Sequence, residues 1–335
     1  MKTYILGIES SCDETSASIC YNGKIINNIV ASQKIHSDYG GVVPELASRA
    51  HQQNIIPVVA TALKETGIGV NDLSAIAVTQ GPGLLGALLV GYSFTKSLSF
   101  ALGIPFINVH HMKAHIAAHF IDDPQPDFPF LCLTVSGGHT QIVLVSDHTA
   151  FKIIGQTRDD AVGEAFDKGA KLLGLPYPGG PEIDRYARKG DPKKYSFSKS
   201  DVPDFDFSFS GIKTSLLYFL KDRLKDNPEF IRHHISDICA AYQSTLIDML
   251  MHKFVMAAKK YNVKHVGIAG GVAANSQLRT TIEKLGKEYG WQTYLPEFQY
   301  CTDNAGMIAM AGYHQFKANK FGKFADQPKP RMPFL

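Results

Sequence analysis

Residues 3–23, TYILGIESSCDETSASICYNG, and residues 130–147, FLCLTVSGGHTQIVLVSD, share one plan. Each is an apolar run, a small polar turn and a second apolar run. YILGI and SASICY flank ESSCDET, and LCLTV and QIVLV flank SGGHT. Apolar runs of this length around turn residues predict β-hairpins. Each hairpin opens a segment of similar size that goes on into helices, so the chain reads as two related halves and not as a solenoid. We place the lobes at residues 1–125 and 126–335, with an inserted segment at about 190–235 and a C-terminal helix free to pack back on the first lobe.

Working outward from the hairpins, strands alternate with helices. PELASRAHQQNIIPVVATALKETG has helical spacing, and Pro57 is expected to kink that helix or to start a second one. LSAIAVTQ is a strand, GPGLLGALLVGYSFTKSLSFALG a Gly-Pro-Gly turn and a long apolar helix, and IPFINV another strand. In the second half FDKGAKLLG is helical, and LPYPGGPEIDRYARKG is a break and then a short helix. KYSFSKSDVPDFDFSFSGIKTS reads as a loop or a small strand pair. SDICAAYQSTLIDMLMHKFVMAAKKY is a long helix, and KHVGIAGGVAANSQLRTTIEKLGKEYG is strand, glycine turn, helix. Such alternation predicts an α/β fold with open sheets covered by helices.

The 335 residues, 44% hydrophobic and 19% charged, fit two globular lobes. A net charge of +3 is too near balance to predict polyanion binding from composition. The basic run KANKFGKFADQPKPR is either a local anion patch or a solvated tail. Five cysteines, odd in number and without a CxxC pair, point to reduced thiols and a cytoplasmic protein. The N-terminus does not read as a signal peptide, and no stretch reaches the ~18 apolar residues expected of a membrane span.

Glycines sit where strands end: Gly137 and Gly138 in the second hairpin, Gly179 and Gly180, and Gly270 and Gly271. Turns of this type present backbone N–H groups to phosphate oxygens, and a helix starting after the turn favours the anion. With no GxxxxGK[ST] pattern, a P-loop site is disfavoured, and a nucleotide or adenylate between two lobes is the better reading. Acidic residues mark the same loops: Asp13 and Glu14 in the first hairpin turn, Asp167, and Asp184. Each is a cap or turn residue, or else a metal, ribose or proton partner.

VHHMKAHIAAHF, residues 109–120, repeats histidine every fourth position at 111, 115 and 119. On a helix, residues four apart share a face, so His111 and His115 can present two imidazoles to one metal. No glutamate general base stands after His111, unlike in the HExxH peptidases. Asp303 in QYCTDNAGM is the best third ligand. Two histidines and one carboxylate leave open positions on iron or zinc.

HHMKAH resembles the H-M-x-x-H signature of the TsaD/Gcp family, the tRNA threonylcarbamoyladenosine modification enzymes, in its bacterial branch. The resemblance extends over GIESSCDET, GGVVPELASRAH, TQGPGLLGALLVG, VSGGHTQ, DDAVGEAFDKGAKLLGLPYPGGPEID, FSFSGIKTS, GIAGGVAANSQLR and CTDNAGMIA. Lys113 stands where the family commonly has an acidic residue. The resemblance implies an actin/Hsp70/sugar-kinase-like (ASKHA) α/β fold with an interlobe ligand cleft. It implies one divalent metal, Fe(2+) favoured over Zn(2+), on His111, His115 and Asp303. It implies that L-threonylcarbamoyladenylate binds at Thr134, Val135, Ser136, Gly137, Gly138, Asp167, Gly180, Asp184 and Asn275. The threonylcarbamoyl group would move to N6 of adenosine 37 in the anticodon loop of tRNAs reading codons that begin with A, with Asp13 or Glu14 aiding the amine. The implied partners are tRNA, a catalytically silent TsaB-like paralogue, a small TsaE-like P-loop ATPase and a separate synthase that makes the adenylate. The rival readings are an ATPase or kinase of the same fold, a metallopeptidase and a non-catalytic scaffold.

Overall fold

The computed structural model describes residues 2–334 apart from residues 34, 35, 37, 38 and 40, so the first residue of GGVVPELASRAH lies outside the described residues. The chain divides into two compact units. One comprises Met1–Gln125, Ser146–Ala150 and Pro296–Leu335, the other Pro126–Val145 and Phe151–Leu295.

The first unit begins with strands Tyr4–Glu9 (β1), Glu14–Tyr21 (β2), Lys24–Ile25 (β3) and Ile29–Ser32 (β4). Next come helix Pro44–Thr66 (α1), strand Ala75–Gly81 (β5), helix Leu85–Leu102 (α2), strand Phe106–His110 (β6) and helix His111–Ala117 (α3). The second unit carries strands Phe130–Val135 (β7), Thr140–Asp147 (β8) and Ala150–Gln156 (β9), then helices Val162–Leu172 (α4), Gly179–Ala187 (α5), Ser210–Asp226 (α6) and Phe230–Tyr261 (α7). It closes with strand His265–Ala269 (β10), helix Ser276–Tyr289 (α8) and strand Gln292–Tyr294 (β11). Helices Phe298–Cys301 (α9) and Ala305–Lys317 (α10) belong to the first unit.

The sheets share a strand order. In the first it is β3-β2-β1-β5-β6, with β4 added on β2; in the second it is β9-β8-β7-β10-β11. In both, an antiparallel hairpin (Ile8 opposite Ala17, Leu133 opposite Ile142) is extended by parallel strands. β1 and β7 are therefore central. Their near-continuous apolar runs are buried because both faces are covered. On β1 the cover is α10, which comes so close that a Cβ at Gly7 would lie 2.5 Å from the Ala305 carbonyl oxygen. Only glycine leaves room for that approach.

Two local alternatives are narrowed and two expectations corrected. Pro57 starts no second helix: α1 runs through it, forgoing one backbone hydrogen bond. The segment before α6 is the loop of the two alternatives, with a single bridge, Thr157 to Phe207. α2 is long and apolar enough to cross a membrane by length and composition, with mean hydropathy 1.3. Here it packs on β5 and α1 as a covering layer of the sheet. The basic run at 317–331 is no free tail. Gly322 N–H donates to Phe106 O (2.8 Å), Lys329 N–H to Gln80 O (2.7 Å) and Lys96 Nζ to Phe324 O (2.8 Å), which fastens it along β5, β6 and α2.

Candidate metal centre and glycine-turn site

In the first unit the metal candidates converge. β6 ends at His110, whose Nδ1 accepts the Met112 N–H and caps α3. One helical turn separates His111 from His115, and their rings meet edge to face at 4.8 Å. Asp303 arrives from the start of α10. Asn304 caps that helix through Met307 N–H, and the next two amides are held by Ser16 Oγ (2.9 Å) and Asn28 Oδ1 (3.1 Å). These bonds fix the helix end and bring Asp303 over α3.

His111 Nε2 and His115 Nε2 each lie 3.3 Å from the same oxygen, Asp303 Oδ1. Charge-assisted N–H···O bonds are shorter, about 2.7–2.9 Å. Ligand atoms on one tetrahedral ion with bonds of roughly 2.0–2.1 Å stand roughly 3.3 Å apart. The two 3.3 Å spacings therefore suit neighbouring ligands of a metal ion better than hydrogen bonds. The three residues could hold one, with all their ligand atoms within 4.8 Å of one another. His119 departs from the set: α3 ends at Ala117 and a 3-10 turn, Ala118–Phe120, carries it away from the face.

Electrostatics bind the first hairpin turn to this cluster. Burial works against a charged His111, but the carboxylates of Asp303 and Glu9 hold it well above its ordinary value. Burial lowers His115. Despite burial, Asp303 is held far below the carboxylate range by the His111 charge. Burial, then Asp303 and Asp13, pushes Glu14 up to about 10. Asp13 and Glu14 thus share the electrostatic field of the cluster. Two members escaped the sequence reading. His51 on α1 ties the turn down, with Nε2 2.9 Å from Cys12 O and Nδ1 2.8 Å from Thr15 Oγ1. Glu9, wholly buried at the end of β1, lies 2.9 Å from His111 Nδ1. Its signal was an acid ending an otherwise apolar buried strand.

The second unit carries the remaining candidates. Thr134 and Val135 are fully buried in β7, so the accessible part of this stretch is Ser136–Gly138. A Cβ at Gly137 or Gly138 would meet no atom within 4 Å, whereas one at Gly270 would lie 2.4 Å from Val135 O. Gly270, at φ +90°, is demanded by packing; nothing within the chain demands the other two. Asp167 Oδ1 accepts the Gly179 N–H (2.8 Å) just before Gly180, and burial raises its carboxyl. Asp184 is saturated by Arg188 (2.7 Å), Gln243 (3.1 Å) and Ser276 (2.6 Å). Asn275 caps α8 through Leu278 N–H and donates to Gln243 Oε1 at 2.7 Å. Gln243 and Ser276, which sequence reading missed, thus join Asp184 and Asn275 in one network. Their positions on separate elements left no local pattern to read.

The TsaD family, described as tRNA N6-adenosine threonylcarbamoyltransferase, matches residues 24–310. A protein of that description from Cytophaga hutchinsonii is 57% identical over 332 residues, covering 99% of this chain and 97% of its own. One from Kosmotoga olearia is 49% identical, covering 95% and 94%. Among solved structures, full-length HypF in its phosphate- and nucleotide-bound form superposes with a TM-score of 0.61 at 15% identity, over 94% of this chain and 46% of that one. Component A of the Acidaminococcus fermentans (R)-2-hydroxyglutaryl-CoA dehydratase gives 0.51 at 15% identity, over 93% and 98%. The paired sheets and these likenesses make the fold ASKHA-type α/β, and by its sequence the chain belongs to the TsaD family of tRNA N6-adenosine threonylcarbamoyltransferases.

Proposed function

We propose that this protein transfers the threonylcarbamoyl group of L-threonylcarbamoyladenylate to N6 of adenosine 37 in tRNAs reading codons that begin with A. What carries the reading is the intact His111, His115 and Asp303 set in a chain 57% identical to a named transferase along nearly its whole length. A non-catalytic scaffold has no need of that set.

In the reaction the N6 lone pair forms a bond to the carbamoyl carbon, the carbon–oxygen bond to phosphate breaks, AMP leaves and N6 loses a proton. The amine is weak because its lone pair is delocalised into the ring, so placement and charge stabilisation matter most. A divalent metal, Fe(2+) favoured and Zn(2+) the alternative, would be held by His111, His115 and Asp303 and would supply Lewis-acid stabilisation of donor oxygens. Backbone N–H groups of Gly137 and Gly138 are suited to the adenylate phosphate, and the bare glycines leave room for it. Asp167 and Gly180, in the same unit as that turn, are assigned to the nucleoside. Asp184 and Asn275 shape the same site through Gln243 and Ser276. Asp13 or Glu14 is assigned to aid the N6 amine, with the Glu14 carboxyl pushed up by burial and by Asp303 and Asp13.

A base in the anticodon loop is splayed out more cheaply than a paired one. With a net charge of +3, the chain is expected to hold tRNA with help from a silent paralogue and a small P-loop ATPase, while a separate synthase supplies the adenylate. The exposed Leu85, Leu89 and Phe100 of α2 are the face we assign to the paralogue. Five free cysteines accord with a cytoplasmic setting.

The test supplies the purified protein with labelled threonylcarbamoyladenylate, its partners and tRNA, and reads the product by nucleoside mass spectrometry. Threonylcarbamoyladenosine should form, and should vanish when A37 is replaced. No product with active partners and bound metal would refute the proposal.

A further inference from the structure

Glu9 has no role in the transfer steps proposed above, yet it is the carboxylate enclosed most completely beside the cluster, with no exposed surface. Parallel pairing of β1 with β5 sets it next to Thr79. Its Oε1 accepts the Ser11 N–H at 2.6 Å, and its Oε2 accepts the Thr79 hydroxyl at 2.8 Å. The remaining neighbour of Oε2 is His111 Nδ1, at 2.9 Å. Ser11 Oγ also approaches Nδ1, but at 3.3 Å. The shorter, charged partner dominates, and both carboxylate oxygens already act as acceptors.

We propose that Glu9 is a positioning residue that keeps a proton of His111 on Nδ1, so that Nε2 is the nitrogen offered to a divalent cation. The inference rests on reading His111, His115 and Asp303 as a metal site. The physical reason is that an imidazole has one lone pair to offer when neutral, and the partner of one nitrogen decides which nitrogen offers it. Glutamine at position 9 is nearly isosteric but cannot do this. The Ser11 N–H can only donate, so the amide oxygen must face it. The amide NH₂ then points at His111 Nδ1 and drives the proton to Nε2, the atom aimed at Asp303.

The experiment uses the full chain, stripped with a chelator and titrated with Co(2+), with visible absorption as the readout. Glu9→Gln should weaken Co(2+) binding by about 10–100-fold and alter the Co(2+) spectrum, while the metal-free protein keeps its melting temperature within a few degrees. Thr79→Val, which removes only a donor to Oε2, should stay within about threefold of wild type by the same reasoning. Equal Co(2+) affinity in wild type and Glu9→Gln overturns the role of Glu9 and leaves the metal reading standing. A wild-type chain that takes up no Co(2+) overturns both. Should Glu9→Gln fail to fold, the zinc-loaded wild type labelled with 15N-histidine decides. A slowly exchanging proton on His111 Nδ1, with zinc on Nε2, supports the proposal, and zinc on Nδ1 overturns it.

Discussion

The β1–β2 turn, ESSCDET, and the β7–β8 turn, SGGHT, close the central hairpins of two sheets with one strand order. Around the first, acids and imidazoles crowd together: Glu9, Asp13, Glu14, His51, His111, His115 and Asp303. Around the second there is no acid in the turn itself, and the conspicuous feature is two glycines with open space beside them. A repeated scaffold thus supplies equivalent positions, and the side chains placed there decide the chemistry. Buried charge in the first unit is held where carboxylates face an imidazole, as Glu9 and Asp303 face His111. Backbone donors in the second need no such compensation.

Asp303→Ala should disturb the first turn most and the second not at all. The change removes the oxygen shared by both histidines, so metal content should fall to background by elemental analysis and transfer should fall more than about 100-fold. The second unit should keep its fold. Next come the glycines. Gly270→Ala forces a Cβ onto Val135 O at positive φ and should cost about 1–3 kcal/mol in denaturant unfolding. Gly138→Ala meets nothing in the chain and should leave stability within about 0.5 kcal/mol. Its effect should emerge instead as weaker adenylate binding by calorimetry. Equal destabilisation by both would sink the distinction between packing glycines and ligand glycines.

Proton linkage separates the units more finely. The folded value of His111 is raised, so in the metal-free protein it contributes stability that is fully present below its ordinary 6.5 and lost as pH rises through the folded value. Melting temperature of the metal-free chain should therefore decline as pH rises above 6.5. The added stability from excess Zn(2+) should grow over the same span, because the ion displaces that proton. Scanning calorimetry from about pH 6 to about pH 9, with and without the ion, checks both signs. The smallest effect is expected at Glu14. Its carboxyl, raised to about 10, makes the metal-free protein less stable as pH climbs from 4.5 through 10. Glu14→Gln mimics the protonated form and should raise the neutral-pH melting temperature by a few degrees in the absence of metal. Metal on Asp303 cancels one cause of the shift, so the gain should shrink when zinc is added.

Much of the fold was legible because its signals are local. YILGI and LCLTV are continuous apolar runs, and such runs next to small polar turns predict buried strands in hairpins. His111 and His115 were legible for the same reason, since four residues make about one helical turn. Pro57 starts no second helix because the surrounding packing tolerates one lost backbone bond. The place of His119 was not legible, because periodicity within a helix does not set where the helix stops; here the chain tightens into a 3-10 turn at Ala118.

By itself, then, the sequence determined the duplicated hairpins, the α/β class, the histidine pair and the family resemblance, since each is written in neighbouring residues. Only the tertiary structure decided that Glu9, 102 residues away, backs His111. It also decided that Asp303 offers one oxygen to both histidines, and that Gln243 links Asp184 to Asn275. These partners come from separate strands and helices. Their meeting depends on strand order and on the close seat of α10 on β1, which no local periodicity encodes.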